Sequence, residues 1–203
     1  MNRRNALAVP AAAALLAAGG CGTEPPPPDN FYELTPADSG RRFGEPLLGG
    51  TLVVERFAAD GVVAERPLLY KTAEGPRLRQ YTYHYWSQTP GAMLRDAAIR
   101  EYRRANVAER VASPAARLLP DYRMTGAVER LHHRRQGAGS AAAMAVEITI
   151  TRTRDGEPVL MKRYTRTRPV ATGRVSAAVR AFRTALTEIL ARSMDDLAAR
   201  FQR

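Results

Sequence analysis

A chain of 203 residues with 31 basic and 20 acidic side chains carries a formal net charge of +11. That length suits one compact domain once an export segment is allowed for, and a single cysteine excludes a disulfide framework. Only Lys71 and Lys162 are lysine, so the basic character is nearly all arginine, a skew that with the many alanines points to a GC-rich coding sequence.

At the N-terminus, Arg3 and Arg4 precede the apolar run 6–18 (ALAVPAAAALLAA). That run matches a signal segment and is too short to span a bilayer as a helix. Ala18, Gly19, Gly20 and Cys21 follow, and small residues before a cysteine resemble the processing box of bacterial lipoproteins, although Ala18 stands where leucine is usual. The expectation is a signal peptide over 1–20, cleaved before a Cys21 that takes a diacylglycerol and palmitate. Lipidation would consume the only thiol, and several acyl chains anchor firmly where one anchors only marginally. The arginine pair leaves general and twin-arginine export both open. Export leaves acidic proteins and anionic headgroups, and no nucleic acid, as partners for the basic surface.

Residues 21–30 read as the lipidated cysteine and a tether (GTEPPPPDN after Cys21). Consecutive prolines favour polyproline II, which would stand the domain roughly 25 Å off a bilayer. The folded domain is placed at 31–203. FYELTP is a short strand closed by Pro36, and the glycine-rich 38–50 is a loop. TLVVERF at 51–57, PLLYKT at 67–72 and LRQYTYHYW at 78–86 are strands, punctuated by ADG and AEGP turns. Thr89 and Pro90 then open a helix with a stripe at Leu94, Ala98, Tyr102 and Ala105. Residues 120–133 and 142–153 revert to strand patterns. Asp155-Gly156 joins the latter to VLMKRYTRTR as a hairpin. A long terminal helix over 175–202 carries Val175, Val179, Phe182, Leu186, Ile189, Leu197 and Phe201 on one face. This order predicts a single α+β domain, with a mostly antiparallel or mixed sheet and two helices, one central and one C-terminal, on one face.

Catalytic patterns are missing from the sequence. HExxH and GxSxG do not occur, and the glycines around Ser140 lack phosphate-loop spacing. His132 and His133, adjacent on a strand, point to opposite faces and cannot form a simple metal pair; they and His84 read as solvated edge residues. Asp195 and Asp196 diverge by about 100° on a helix and read as a solvated face. The chain is therefore expected to be no enzyme, with no cofactor and no metal. Two surfaces stand out as partner-binding candidates. Tyr81, Tyr83 and Tyr85 alternate, which would put three phenols on one strand face and Trp86 on the other. Arg152, Arg154, Arg163 and Arg166, with Lys162 and Arg168, make the hairpin strongly basic. That reads either as a charged edge that discourages aggregation or as a dock for an acidic partner or anionic headgroups.

The order of these pieces resembles the ABC-type transport auxiliary lipoproteins, which accompany MCE-type lipid transporters of Gram-negative envelopes. The resembling stretches are FYELTP, GTLVVERF, RPLLYKT, YTYHYWSQTPGAML, DYRMTGAVERL, EITITRTRDGEPVL and VSAAVRAFRTALTEILARSMDDLA, spanning roughly 31–199. The polyproline tether and LHHRRQGAGS at 131–140 depart from the family. The resemblance implies a non-catalytic, periplasm-facing subunit supporting membrane integrity. It would contact an MCE-type periplasmic transport protein and, through it, an inner-membrane permease and ATPase. Gly22 after Cys21 lacks the aspartate of inner-membrane retention and favours the outer membrane. An assembly of identical chains stays open. So does a second reading, a structural envelope lipoprotein that binds peptidoglycan or an outer-membrane assembly machine.

Overall fold

The computed structural model describes residues 25–136 and 139–201. The signal segment, Cys21 and the first part of the tether lie outside the described residues. Eight strands and two long helices follow in order: β1 (Asn30–Tyr32), β2 (Leu48–Val54), β3 (Pro67–Thr72), β4 (Leu78–Trp86), α1 (Pro90–Arg104), β5 (Ala108–Ala112), β6 (Tyr122–Arg135), β7 (Ala141–Arg152), β8 (Pro158–Pro169) and α2 (Val175–Phe201). The expected mixed α+β domain is what the chain forms.

β6 is the axis of a curled sheet. Along one edge it pairs antiparallel with β7 over nearly its whole length, and β7 pairs antiparallel with β8. Two short parallel strands share its other edge. β2 meets its beginning (Leu52 opposite Tyr122) and β3 meets its end (Tyr70 opposite His133). β5 then extends the sheet beyond β2, while β4 and β1 extend it beyond β3. Fourteen residues of β6 span about 46 Å at 3.3 Å per residue.

Alternation along β6 and β7 separates two faces. Met124, Val128, Leu131, Met144, Val146, Ile148 and Ile150 point inward and are buried. Both helices close this inner face, α1 on β2, β5 and β6, and α2 on β7 and β8. Thr89 is the N-cap of α1 as expected, but its hydroxyl accepts from Arg56 Nη2 at 2.9 Å and makes no capping bond. The two helices meet where Tyr102 donates to Ser193 Oγ (2.8 Å), which donates to the Leu190 carbonyl. A strap over 33–43 crosses their outer side. The Ala37 amide donates to Thr187, the Ser39 amide to the buried Glu101, and Arg41 pairs with Asp195 at 2.6 Å.

Three expectations need correction. β2 begins at Leu48, inside the expected loop, and ends before Glu55, because Phe57 bonds across to the Gly91 carbonyl at the start of α1 instead of continuing the ladder. The α2 stripe is buried through Leu197, but Phe201 is 40 % exposed, since α2 runs past the sheet there. Asp195 and Asp196 are not a solvated face. Asp195 holds the strap through Arg41, while Asp196 accepts from Tyr164 and pairs with Lys162 and Arg192.

Candidate functional site

The tyrosine face does not form. Tyr83 has φ +61°, a left-handed conformation, and sits in a bulge where Pro67 and Leu69 of β3 face Tyr85 and Gln80. A bulge inserts residues on one strand only, so side-chain parity switches across it. Tyr81, His84 and Trp86 consequently share the inner face, and Tyr85 turns outward beside the exposed Phe31, ring centroids 5.7 Å apart. None of the three tyrosines is fully exposed. Simple alternation could not reveal this, because the sequence YTYHYW carries no glycine to announce the bulge.

Behind Tyr81 lies a polar chain that the sequence reading missed, having placed His133 at a solvated edge. His133 is buried. Its Nδ1 lies 2.7 Å from the Tyr81 hydroxyl and its Nε2 2.6 Å from Ser140 Oγ, and Ser140 reaches the Arg134 carbonyl at 3.3 Å. Every group is satisfied if Tyr81 donates to Nδ1, Nε2–H donates to Ser140, and Ser140 donates to the carbonyl. In that arrangement the histidine gives Ser140 a proton bond and does not activate it as a nucleophile. Burial, and then the Arg135 charge, lower the His133 pKa and keep the ring neutral. The chain ties β4, β6 and the start of β7 together.

His132 points to the other face, as alternation requires, and is half-buried there. Among the described residues, no group of three or more His, Cys, Asp or Glu side chains is arranged to hold a metal ion. No described helix is long and apolar enough to cross a membrane.

The basic hairpin is largely paired within the domain. Arg152 bonds Asp155 (3.0 Å) and Glu157 (2.8 Å), Arg163 bonds Glu129, and Arg166 and Arg168 both reach Glu188 on α2. Arg154 also contacts Asp155 but keeps a side chain 77 % exposed. Cross-strand partners share a face, so Arg166 and Arg168, opposite the inward Met144 and Ala142, face the helix, whereas Arg163 faces out opposite Glu147. Spacing alone could not separate these roles; the partner carboxylates are distant in sequence.

An apolar tip stands at the same end as the β7–β8 turn. The link 113–121 returns from the end of β5 to the start of β6 across β2. It is pinned where the Asp121 carboxylate accepts the Thr51 amide (2.7 Å) and where the Thr153 amide donates to the Asp121 carbonyl (2.9 Å). Gly50, φ +88°, leaves the space that Asp121 fills. Within this link Arg117 is left-handed, Leu118 is 44 % exposed and Leu119 is 91 % exposed. Two adjacent leucines held in water on a fixed loop gain nothing from folding and leave apolar area that a partner could bury. The described chain enters level with the second half of β6: β1 runs parallel to β4 and opposite to β6, so residues before Asn30 lead toward the Lys71–Arg134 end.

A model of the ABC-type transport auxiliary lipoprotein component matches residues 32–193. A solved protein from Xanthomonas campestris, described as of the DUF330 family, superposes with a TM-score of 0.70 at 20% identity, covering 84% of this chain and 96% of that one. A second solved protein, described only as uncharacterized, gives 0.61 at 14% identity, covering 85% and 98%. PelC from Paraburkholderia phytofirmans, solved as a dodecamer, gives 0.49 at 19% identity, covering 78% and 96%. No curated protein matches in sequence.

Proposed function

The chain belongs to the ABC-type transport auxiliary lipoprotein components, and we propose that it is the outer-membrane-tethered, non-catalytic subunit that positions an MCE-type periplasmic transport protein. The observation that carries this reading is the polarity of the domain. The described chain enters through β1, which lies beyond β3 and β4 and level with the second half of β6, whereas the exposed Leu118 and Leu119 stand beside the start of β6. Such a body acts as a spacer, anchored at one end and docking at the other. Arg117 and the exposed Arg154 flank the leucines, so the docked partner presents an apolar socket with an acidic rim. Energy for transport comes from a separate inner-membrane ATPase and permease, and this subunit contributes binding and placement. Lipid on Cys21, with Gly22 following it, puts the anchor in the outer membrane and the domain in the periplasm.

Deletion of the gene is expected to sensitise cells to detergent, and the full chain to restore resistance. The Cys21→Ser form should fold, appear in the soluble periplasm, incorporate no labelled palmitate, and fail to restore resistance. Full rescue by that form would remove positioning as the mechanism.

A further inference from the structure

We propose that the outer face of the sheet carries a binding site for a phosphate-bearing group, a cleft floored by Ala143 and ringed by Lys71, Arg130, His132 and Arg134. The cleft encloses about 460 Å³. It arises from a contrast between neighbouring strands. On β6 the outward positions Arg130, His132 and Arg134 are long and cationic or polar. Directly opposite on β7 stand Ala145, Ala143 and Ala141, whose side chains leave a depression beneath the row. Lys71 closes the end of the row, paired in register with Arg134.

Three observations together mark this cluster, the first of which sets it apart from the basic hairpin. First, the hairpin arginines and Lys162 have carboxylate partners. Among the described residues none of the ion pairs engages Lys71, Arg130 or Arg134. Second, Arg134 Nε is buried without a hydrogen-bond partner, and a guanidinium N–H left unmade in a protein is expensive. Third, the cluster concentrates charge: desolvation foremost, and then Arg130, Lys71 and Arg134, lower the His132 pKa to about 4, so the ring is neutral at pH 7 and offers an uncharged donor. Arg130 and Arg134 lie four residues apart on the same face, about 13 Å along the strand at the backbone. Their flexible side chains can converge over His132, between them. Planar guanidinium forks engage phosphate oxygens in pairs, and an ammonium adds a point charge. A phosphate group, with more oxygens and up to two negative charges, matches three cations and a neutral donor better than a single carboxylate does. The cleft lies at the end of β6 toward which the residues preceding Asn30 lead, so a membrane phospholipid headgroup and a soluble phosphate ester are both sources of the same chemistry.

The test uses the full chain with Cys21→Ser, so that attachment to vesicles does not depend on the acyl chains. Three probes are sodium phosphate, glycerol 3-phosphate, and phosphatidylcholine vesicles with or without phosphatidylglycerol, all at constant ionic strength. Phosphate is expected to shift the His132 ring resonances saturably and to raise the pH at which they titrate. Arg130→Gln with Arg134→Gln should weaken binding by about tenfold or more. Ala143→Leu, which fills the floor without changing charge, should do the same, whereas Arg79→Gln, an exposed arginine on β4, should change it less than about twofold. Co-sedimentation with phosphatidylglycerol vesicles that is lost in the cleft variants assigns the site to a headgroup. Saturable binding of the soluble probes alone assigns it to a soluble ester. Resonances of His132 that respond to phosphate no more than to chloride, or equal losses from Arg79→Gln and the cleft variants, would overturn the site. The transport reading survives either failure, because no protein partner enters this experiment.

Discussion

Trp86 and Phe182 meet edge to face with ring centroids 5.8 Å apart, joining the end of β4 to the first third of α2 inside the core. Both side chains are almost fully buried, so this contact couples the central part of the sheet to the terminal helix. Phe182→Ala should destabilise the domain by about 3–5 kcal/mol, through lost transfer energy and the cavity left beside Trp86. Arg183→Ala, which removes an exposed guanidinium donating to the Thr35 carbonyl at 2.7 Å, should cost about 1 kcal/mol or less. Urea unfolding of the two variants measures the contrast, and equal losses would mean that α2 is not packed through this face.

Gly126 marks a second close approach. A Cβ there would collide with the buried Phe57 ring and stand 2.6 Å from the Glu147 carbonyl oxygen. Gly126→Ala should therefore destabilise by about 1–3 kcal/mol, as overpacking does in a filled interior. An unchanged urea midpoint would show that Phe57 moves aside freely.

These two positions illustrate what was legible. The α2 stripe, the β3 and β4 strands and the Asp155-Gly156 turn follow from local period and turn chemistry, and Phe182 was correctly placed at the centre of a buried face. Neither the proximity of Phe57 to Gly126 nor the five-residue β5 has a local signal. AERVA at Ala108–Ala112 holds its place through parallel pairing with β2, a contact between segments far apart in sequence. Parity failed at the bulges. At Tyr83 one left-handed residue reassigned the tyrosines, and the register shift between Val128 and Arg130 helped turn His133 inward. The charged residues were the least legible, because Arg152, Asp195 and Asp196 look solvated until their distant partners are known.

Acid should weaken the fold in a way that His132 reports. Its folded pKa of about 4 lies below the ordinary 6.5, so folding favours the neutral ring. That contribution is fully present above about pH 6.5 and is lost as the pH falls through 4. His133, also lowered by burial, adds in the same direction. In phosphate-free buffer, His132→Gln should make the fall in unfolding free energy between pH 7 and pH 4 shallower than in the parent chain. Identical slopes would mean that the ring is solvated in both states.

The most direct test of the positioning account is co-purification of the tagged, lipidated full chain from detergent-solubilised envelopes, with bound proteins identified by mass spectrometry. The account predicts that an MCE-type protein is recovered. It further predicts that Leu118→Glu with Leu119→Glu, on a loop where both side chains are exposed, abolishes that recovery while leaving the fold and the membrane fraction unchanged. Recovery of the MCE-type protein undiminished by the two glutamates would remove the apolar tip from the interface, and absence of any MCE-type protein from the wild-type complex would contradict the central claim.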